Sequence, residues 1–163
     1  MEYHNLEQPD ELTKKEKEDA MGAYLMMFAA IGAGLPLPII NLIASVIYFF
    51  VHKNNTRFVR FHSLQSLWSQ LPTTLINAGA MYWTLQIFLF DNLEVTDMYY
   101  GYLVMLVILN LAYFAFSIVG AVKARNGKMY YFLFFGKICY HQVYQIRDNI
   151  DDESKNVNLP PKL

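Results

Sequence analysis

The chain has 163 residues, of which 55% are hydrophobic and 17% are charged, whereas roughly 25% of residues are charged in an average soluble domain. No charged residue falls within 20–51, 61–90 or 98–122. A soluble helix keeps a polar face towards water, so this distribution excludes a soluble helical protein, and the apolar content excludes a disordered chain. The net charge of −1 argues against a general nucleic-acid binder. The sequence therefore predicts an integral membrane protein.

Three helices are expected to cross the membrane, because about 20 helical residues span a hydrocarbon core of roughly 30 Å. The predicted fold is an all-α membrane protein with a helical membrane domain at 20–147. Its main transmembrane helices are expected at about 20–51, 61–90 and 98–122.

The first apolar run is too long for a straight span, since 20–51 would measure about 48 Å as one helix. Its middle, from Gly32 to Pro38, contains two glycines, and two prolines that remove backbone donors. A break at Gly32–Pro38 is therefore expected. Three arrangements stay open: one kinked crossing, a helical hairpin that gives four helices, or a first half that lies in the interface.

The two ends of the chain differ from the membrane domain. Residues 1–19 are expected to form a soluble charged segment, and 148–163 an acidic flexible tail. Between the third span and the tail, 129–146 is rich in aromatic residues but contains Lys137 and His141, which are costly at the bilayer centre. Because tyrosines favour the headgroup level, this segment is predicted to be a C-terminal interfacial helix.

Positive charges near the ends of spans set the orientation of a membrane protein. The loops at 52–60 and 123–128 carry only basic charges, whereas the loop at 91–97 carries only acidic ones. We therefore expect a multi-pass protein with both basic loops in the cytoplasm and the 91–97 loop outside. The basic side chains either act through topology alone or contact anionic headgroups, and the candidate contacts are Lys53, Arg57, Lys123, Arg125 and Lys128.

Uncharged polar residues recur within the spans, most densely at the start of the second one. His62, Gln65 and Ser66 lie three to four residues apart and so share one helical face. They indicate either a partly hydrated site for a partner or substrate, or hydrogen bonding between helices, which is the commoner use of such residues in membranes. The residues of this predicted polar seam are Arg60, His62, Gln65, Gln70, Asn77, Asn41 and Asn110.

No catalytic residue, metal site or cofactor is expected. The four histidines are scattered, without a His-x-x-x-His pair or a neighbouring carboxylate. The chain has no Gly-x-Ser-x-Gly elbow and no phosphate-binding glycine motif, and its single cysteine, Cys139, excludes an internal disulfide. The expected partners are the lipid bilayer and either another membrane protein or a second copy of the chain.

Three segments resemble, in the same order along the chain, those of a family of small bacterial Tic-like integral membrane proteins of unknown function. They are the Phe-Val, His62 and Gln65 pattern within 53–65, the broken run at 34–43, and the exit at 118–131 with its Lys-Ala, glycine and aromatic pair. That family is related to the twenty-kilodalton subunit of the chloroplast inner-envelope import translocon. The resemblance implies a helical protein of the bacterial inner membrane with a role in protein transport.

The function expected from these observations is that of a non-enzymatic accessory or scaffold subunit of a membrane protein complex. The polar seam and the aromatic C-terminal segment would dock the partner. The alternative is an oligomeric pore or carrier for a small solute or polypeptide, with a path lined by His62, Gln65, Gln70 and Asn77.

Overall fold

The computed structural model describes residues 11–29, 38–90 and 94–144. Within these ranges the chain forms five α-helices and no β-strand, which confirms the all-α prediction for this part of the protein. A short 3-10 turn at Met26–Phe28 follows the first helix. The helices are α1 (Lys14–Leu25), α2 (Pro38–Val51), α3 (Arg57–Leu89), α4 (Asp97–Arg125) and α5 (Leu133–Tyr144).

Several predicted features fall partly or wholly outside the described residues. The acidic tail at 148–163 lies outside them, and so does the expected break, except that α2 begins at its last residue, Pro38. The charged N-terminal segment is described from residue 11, and α1 already begins inside it at Lys14.

Threonine caps define where α1 and α4 begin. The Thr13 hydroxyl accepts a hydrogen bond from the Glu16 amide at 3.2 Å, while the Glu16 carboxylate accepts one from the Thr13 amide at 2.7 Å. This reciprocal pair is a capping box. The Thr96 hydroxyl accepts from the Tyr99 amide at 3.3 Å and caps α4 by this single bond.

A left-handed glycine ends α4 and turns the chain back towards the bundle. Gly127 has a φ of 70°, which only glycine adopts readily. The Lys128 amide donates to the Lys123 carbonyl at 2.9 Å, and the Gly127 amide donates to the Ala124 carbonyl at 2.9 Å, as in a Schellman motif. The aromatic segment that follows therefore packs back on the helices, and α5 begins at Leu133, four residues after the predicted start.

The chain reverses direction between α1 and α2. The Tyr48 hydroxyl, near the end of α2, donates to the Asp19 carbonyl at 2.6 Å, and the Asn55 amide donates to the Asp19 carboxylate at 3.4 Å. In one continuous helix, Asp19 and Asn55 would be about 54 Å apart. Helices α1 and α2 therefore form a helical hairpin, which excludes the single kinked crossing.

Helix α3 is the centre of the bundle, and each of the other four helices packs against it. Helix α1 also packs closely on α4, because a Cβ at Gly120 would lie 2.8 Å from the Tyr24 ring. Two apolar clusters hold together the end of the bundle at which α3 begins. The first joins α1, α3 and α4 through Leu12, Ala20, Tyr24, Phe58, Ala121 and Ala124, and the second joins α3 and α5 through Phe61, Cys139, Val143 and Tyr144.

Polar and apolar side chains on α3 are arranged in the opposite way to those of a soluble helix. Its polar side chains face its neighbours, while large apolar ones such as Leu75 and Phe88 are 71% and 79% exposed. An apolar outer surface with an internal polar face is the arrangement that a lipid environment favours. The buried polar residues of α3 are His62, Ser63, Gln65, Ser66, Ser69, Gln70 and Thr74.

One of the described helices, α4, is long and apolar enough to cross a membrane by length and composition. The prediction of three transmembrane helices is therefore not supported. The first run is divided into two short helices, of which α2 is apolar but too short, with an apolar part at Ile39–Val51. Helix α3 has the length, but its buried serines, glutamines and histidine lower its average apolarity.

Candidate functional site

The predicted polar seam is centred on Gln65, which joins three parts of the chain. Its Oε1 accepts a hydrogen bond from the Phe132 amide at 3.1 Å, and its Nε2 donates to the Tyr130 carbonyl at 2.8 Å. Nε2 also donates to the Tyr24 hydroxyl at 2.6 Å. Because the two backbone groups fix which end of the amide carries oxygen, the orientation of Gln65 is determined. One buried side chain thus links α3, α1 and the segment that leads into α5.

The His62 ring joins the same network. Its Nδ1 lies 2.8 Å from the Tyr24 hydroxyl oxygen, which also accepts a hydrogen bond from Gln65. Phe58 and Phe61 surround the ring, at centroid distances of 4.5 and 5.1 Å, and Nε2 has no hydrogen-bond partner among the described residues.

Two further contacts tie the α1–α2 hairpin to α3. The Ser66 hydroxyl donates to the Ala23 carbonyl at 2.7 Å, and the Gln70 amide donates to the Ser45 hydroxyl. Ser66, Gln70 and Ser45 are all buried. The hairpin is therefore held to α3 by side-chain hydrogen bonds as well as by apolar packing.

A separate polar pair lies farther along α3. The Asn77 and Asn110 amides donate to each other at 3.0 and 3.2 Å, which joins α3 to α4. Each amide also donates to a carbonyl one turn back on its own helix, at Thr73 and Leu106. This reciprocal amide pair satisfies its polar groups without water, as interhelical pairs in membranes do.

The predicted seam is thus divided into separate contacts and does not form one continuous stripe. His62 and Gln65 share a network, and Asn77 pairs with Asn110. Gln70 bonds to α2, where Asn41 also lies, one turn before Ser45. Arg60 is half-buried on α3, and its Nε has no partner among the described residues.

Sequence reasoning missed Tyr24 and the backbone of 130–132, although both complete the Gln65 network. Tyr24 lies in an apolar run, and there the sequence does not distinguish a buried tyrosine from one that faces lipid. Backbone carbonyl and amide partners carry no side-chain signal at all. No residue-level pattern could have identified either partner of Gln65.

The candidate headgroup contacts all lie at one end of the bundle but differ in what they touch. Arg125 donates to the Glu18 carboxylate at 2.9 Å, so it is engaged in an ion pair within the protein. Arg57 is half-buried. Lys53, Lys123 and Lys128 are exposed and have no ion-pair partner among the described residues, whereas Arg125 is exposed but paired.

In the described ranges, no three histidine, cysteine, aspartate or glutamate side chains come together in a way that could hold a metal ion. The polar groups of the bundle instead bond to one another and to backbone. Fold and site together define a class: an all-helical protein with internal polar contacts and an apolar outer surface, the arrangement of a membrane protein.

Comparison with known families places the chain within that class. The model of the MamF_MmsF family, the magnetosome magnetite crystal formation proteins, matches residues 16–138, about three quarters of the chain. The chain therefore belongs to this family. No curated protein and no solved structure matches it at a significant level.

This family match overturns the Tic-like resemblance, and nothing supports a role in protein transport. The physical reason lies in the motif that suggested it. His62 and Gln65 are buried and bond to Tyr24 and to backbone, so they serve helix packing. Helices of unrelated membrane proteins use the same residue types for the same purpose, and a short pattern of this kind does not identify a family.

Proposed function

We propose that this chain is a non-enzymatic magnetosome membrane protein that acts in magnetite crystal formation as an accessory or scaffold subunit. The observation that carries the proposal is the family match over residues 16–138. The exposed apolar side chains of α2, α3 and α4 support the membrane location. Its partners are then the bilayer and either another membrane protein or a second copy.

In this proposal α3 and α4 both cross the membrane, and the α1–α2 hairpin enters from one side. Helices of 33 and 29 residues measure about 50 and 43 Å, more than the roughly 30 Å hydrocarbon core. The polar residues that lower the apolarity of α3 are buried against its neighbours, so lipid would meet mainly its apolar side chains. Helices α1 and α2 are too short for a full crossing each.

The distribution of charge supports an orientation for this bundle. The exposed lysines at 53, 123 and 128 lie at the end where α3 begins and α4 ends, and Glu94 and Asp97 lie at the opposite end. The positive-inside rule then puts the basic end in the cytoplasm. The connection between α3 and α4 would face the lumen of the magnetosome, where the crystal grows.

The arrangement of the polar groups favours a scaffold over the alternative of a pore or carrier. A conducting path needs polar groups that water or a solute can reach. His62, Gln65 and Gln70 are instead buried and bond to α1, α2 and the segment before α5. They therefore contribute to holding the bundle in one shape.

The test is the crystal phenotype of a strain that lacks the protein. Deletion is expected to change the size or shape of magnetite crystals seen by electron microscopy, and the wild-type gene is expected to restore them. Gln65→Ala should restore them less well than the matched variant Gln142→Ala, which changes an exposed glutamine on α5. Unchanged crystals in a strain shown to lack the protein would contradict the proposal.

A further inference from the structure

Helix α5 has two distinct faces. One is buried against α3 and contains Cys139, Val143 and Tyr144, of which Cys139 is fully buried. On the opposite side Phe134 is 82% exposed and Ile138 is 45% exposed. Exposed apolar side chains that lie next to each other mark a surface that contacts something apolar.

The outward face of α5 also carries charge, which lies beside the apolar side chains. Residues four apart lie one above the other on a helix, so Lys137 and His141 form one strip and Phe134 and Ile138 form the next. Lys137 and His141 are both exposed. A basic strip beside an apolar strip is the pattern of a helix that lies at a membrane surface.

The depth of α5 in the bundle fits this pattern. The Phe132 ring, just before α5, lies 5.4 Å from Phe116 on α4, and Phe116 precedes Lys123 by seven residues, or about 10 Å. At its other end, Tyr144 contacts Phe61 and Met129 beside the basic end of the bundle. The helix therefore starts at the depth of apolar side chains and ends at the level of the exposed lysines.

Among the described residues of α5 and of the segment before it, the charge is of one sign. No acidic residue occurs between 126 and 144. Within the described part of the chain, the carboxylates on α1 are engaged elsewhere, since Glu18 pairs with Arg125 and the Asp19 carboxylate accepts from Asn55. Lys128 and Lys137 have no ion-pair partner there. The surface is therefore complementary to an anion that carries an apolar part.

We infer that the outward face of α5 binds the headgroups of anionic phospholipids, with Phe134 and Ile138 among the acyl chains and Lys137 and His141 at the phosphate. This inference rests on the membrane location in the proposed function and names the lipid class that the cytoplasmic end recognises. The basic strip supplies the preference for anionic lipid, and the apolar strip supplies contact with any lipid.

The experiment measures lipids that remain bound to the full-length protein. The protein is purified in a non-ionic detergent, mixed with equal amounts of phosphatidylglycerol and phosphatidylcholine, and examined by native mass spectrometry. The wild type should retain more phosphatidylglycerol. Lys137→Gln should lower that preference about five-fold, as removal of one basic charge near an anionic surface predicts. Lys14→Gln, which removes an exposed charge on α1, should leave it unchanged.

A second pair of variants separates the apolar strip from the basic one. Phe134→Ser should reduce adducts of both lipids without changing their ratio, whereas Phe88→Ser, at an equally exposed position on α3, should not reduce phosphatidylglycerol binding. Inorganic phosphate at tenfold excess should not displace the lipid. In all variants Cys139 should stay unreactive to maleimide, which shows that α5 is still docked.

Three results would overturn the inference: equal binding of the two lipids by the wild type, the same preference after Lys137→Gln, or displacement by phosphate. A parallel experiment washes the membrane fraction at alkaline pH and measures whether the protein stays in it. This experiment separates the two proposals. A protein that stays in the membrane but shows no lipid preference contradicts the inference alone. A protein that leaves the membrane contradicts the proposed function.

Discussion

The two halves of the bundle are built differently. At the basic end, α1, α2, α4 and α5 pack around α3, and buried polar side chains that are hydrogen-bonded to side chains or to backbone lie among the two apolar clusters. At the far end, α3 and α4 pack on each other alone among the described residues, with exposed side chains such as Leu85 and Val104 around them. The first half resembles the interior of a folded domain, whereas the second resembles a two-helix crossing in lipid. Variants that strain one half and spare the other can test this difference.

The largest effect is expected at Gln65. Its amide satisfies the Phe132 amide, the Tyr130 carbonyl and the Tyr24 hydroxyl, so Gln65→Leu leaves several buried polar groups without partners. Each unsatisfied group costs about 1–3 kcal/mol. We expect a loss of more than about 2 kcal/mol in detergent unfolding and faster maleimide labelling of Cys139 as α5 detaches. The matched variant Gln142→Leu should change neither the stability nor the labelling of Cys139. Equal losses of stability in both variants would show that the hydrogen bonds of Gln65 do not hold the bundle together.

The next largest effect is expected where α1 meets α4. A Cβ at Gly120 would lie 2.8 Å from the Tyr24 ring, so Gly120→Ala should destabilise the protein by about 1–3 kcal/mol. Gly101, on the same helix in the far half, has no atom within 4 Å of an added Cβ. Gly101→Ala should therefore stabilise by about 0.5–1 kcal/mol, because alanine is the better helix former. Thermal unfolding measures the stability of the two variants. A change of stability in the same direction in both would contradict this prediction.

A smaller effect is expected from the Asn77–Asn110 pair. Replacing one asparagine by leucine leaves the other amide with only its own-helix carbonyl, and such pairs contribute about 0.6 kcal/mol on average in membranes. The double variant should be less destabilised than the sum of the single ones. A double-mutant cycle in detergent unfolding measures this coupling energy, and additivity would mean that the pair contributes no coupling.

The smallest effect is expected at the Arg125–Glu18 ion pair. Both side chains are more than two-fifths exposed, so the 2.9 Å contact should contribute at most about 1 kcal/mol. Arg125→Gln should change unfolding by no more than that at low salt and by less at high salt. A loss as large as that of Gln65→Leu would show that this pair is part of the buried network.

Much of the fold follows from the sequence, because charge-free runs are local signals. Helix α4 at Asp97–Arg125 encloses the predicted 98–122, and α3 at Arg57–Leu89 overlaps almost all of 61–90. The direction of the first run could not be predicted, because a proline-containing break permits either a kink or a reversal. The contacts of Tyr48 with Asp19 decide it, and they join residues 29 apart in the chain.

Only part of the candidate site could be predicted, because the rest depends on contacts between segments that are distant in the chain. Periodicity places His62 and Gln65 on one face of a helix, but it does not show which element covers that face. The covering groups are Tyr24 and the backbone at Tyr130 and Phe132, and their approach depends on the hairpin and on the turn at Gly127. These are tertiary features, which a single sequence does not encode in any local pattern.

The central claim is that the apolar far half crosses the membrane, so that the two ends of α4 lie on opposite sides. The most direct measurement labels single cysteines in a Cys139→Ser background on intact isolated magnetosomes with a membrane-impermeant maleimide. Asn126→Cys, just after α4, should react at once. Glu94→Cys, just before α4, should react only after detergent opens the vesicle. Equal labelling of both positions on sealed magnetosomes would contradict the account.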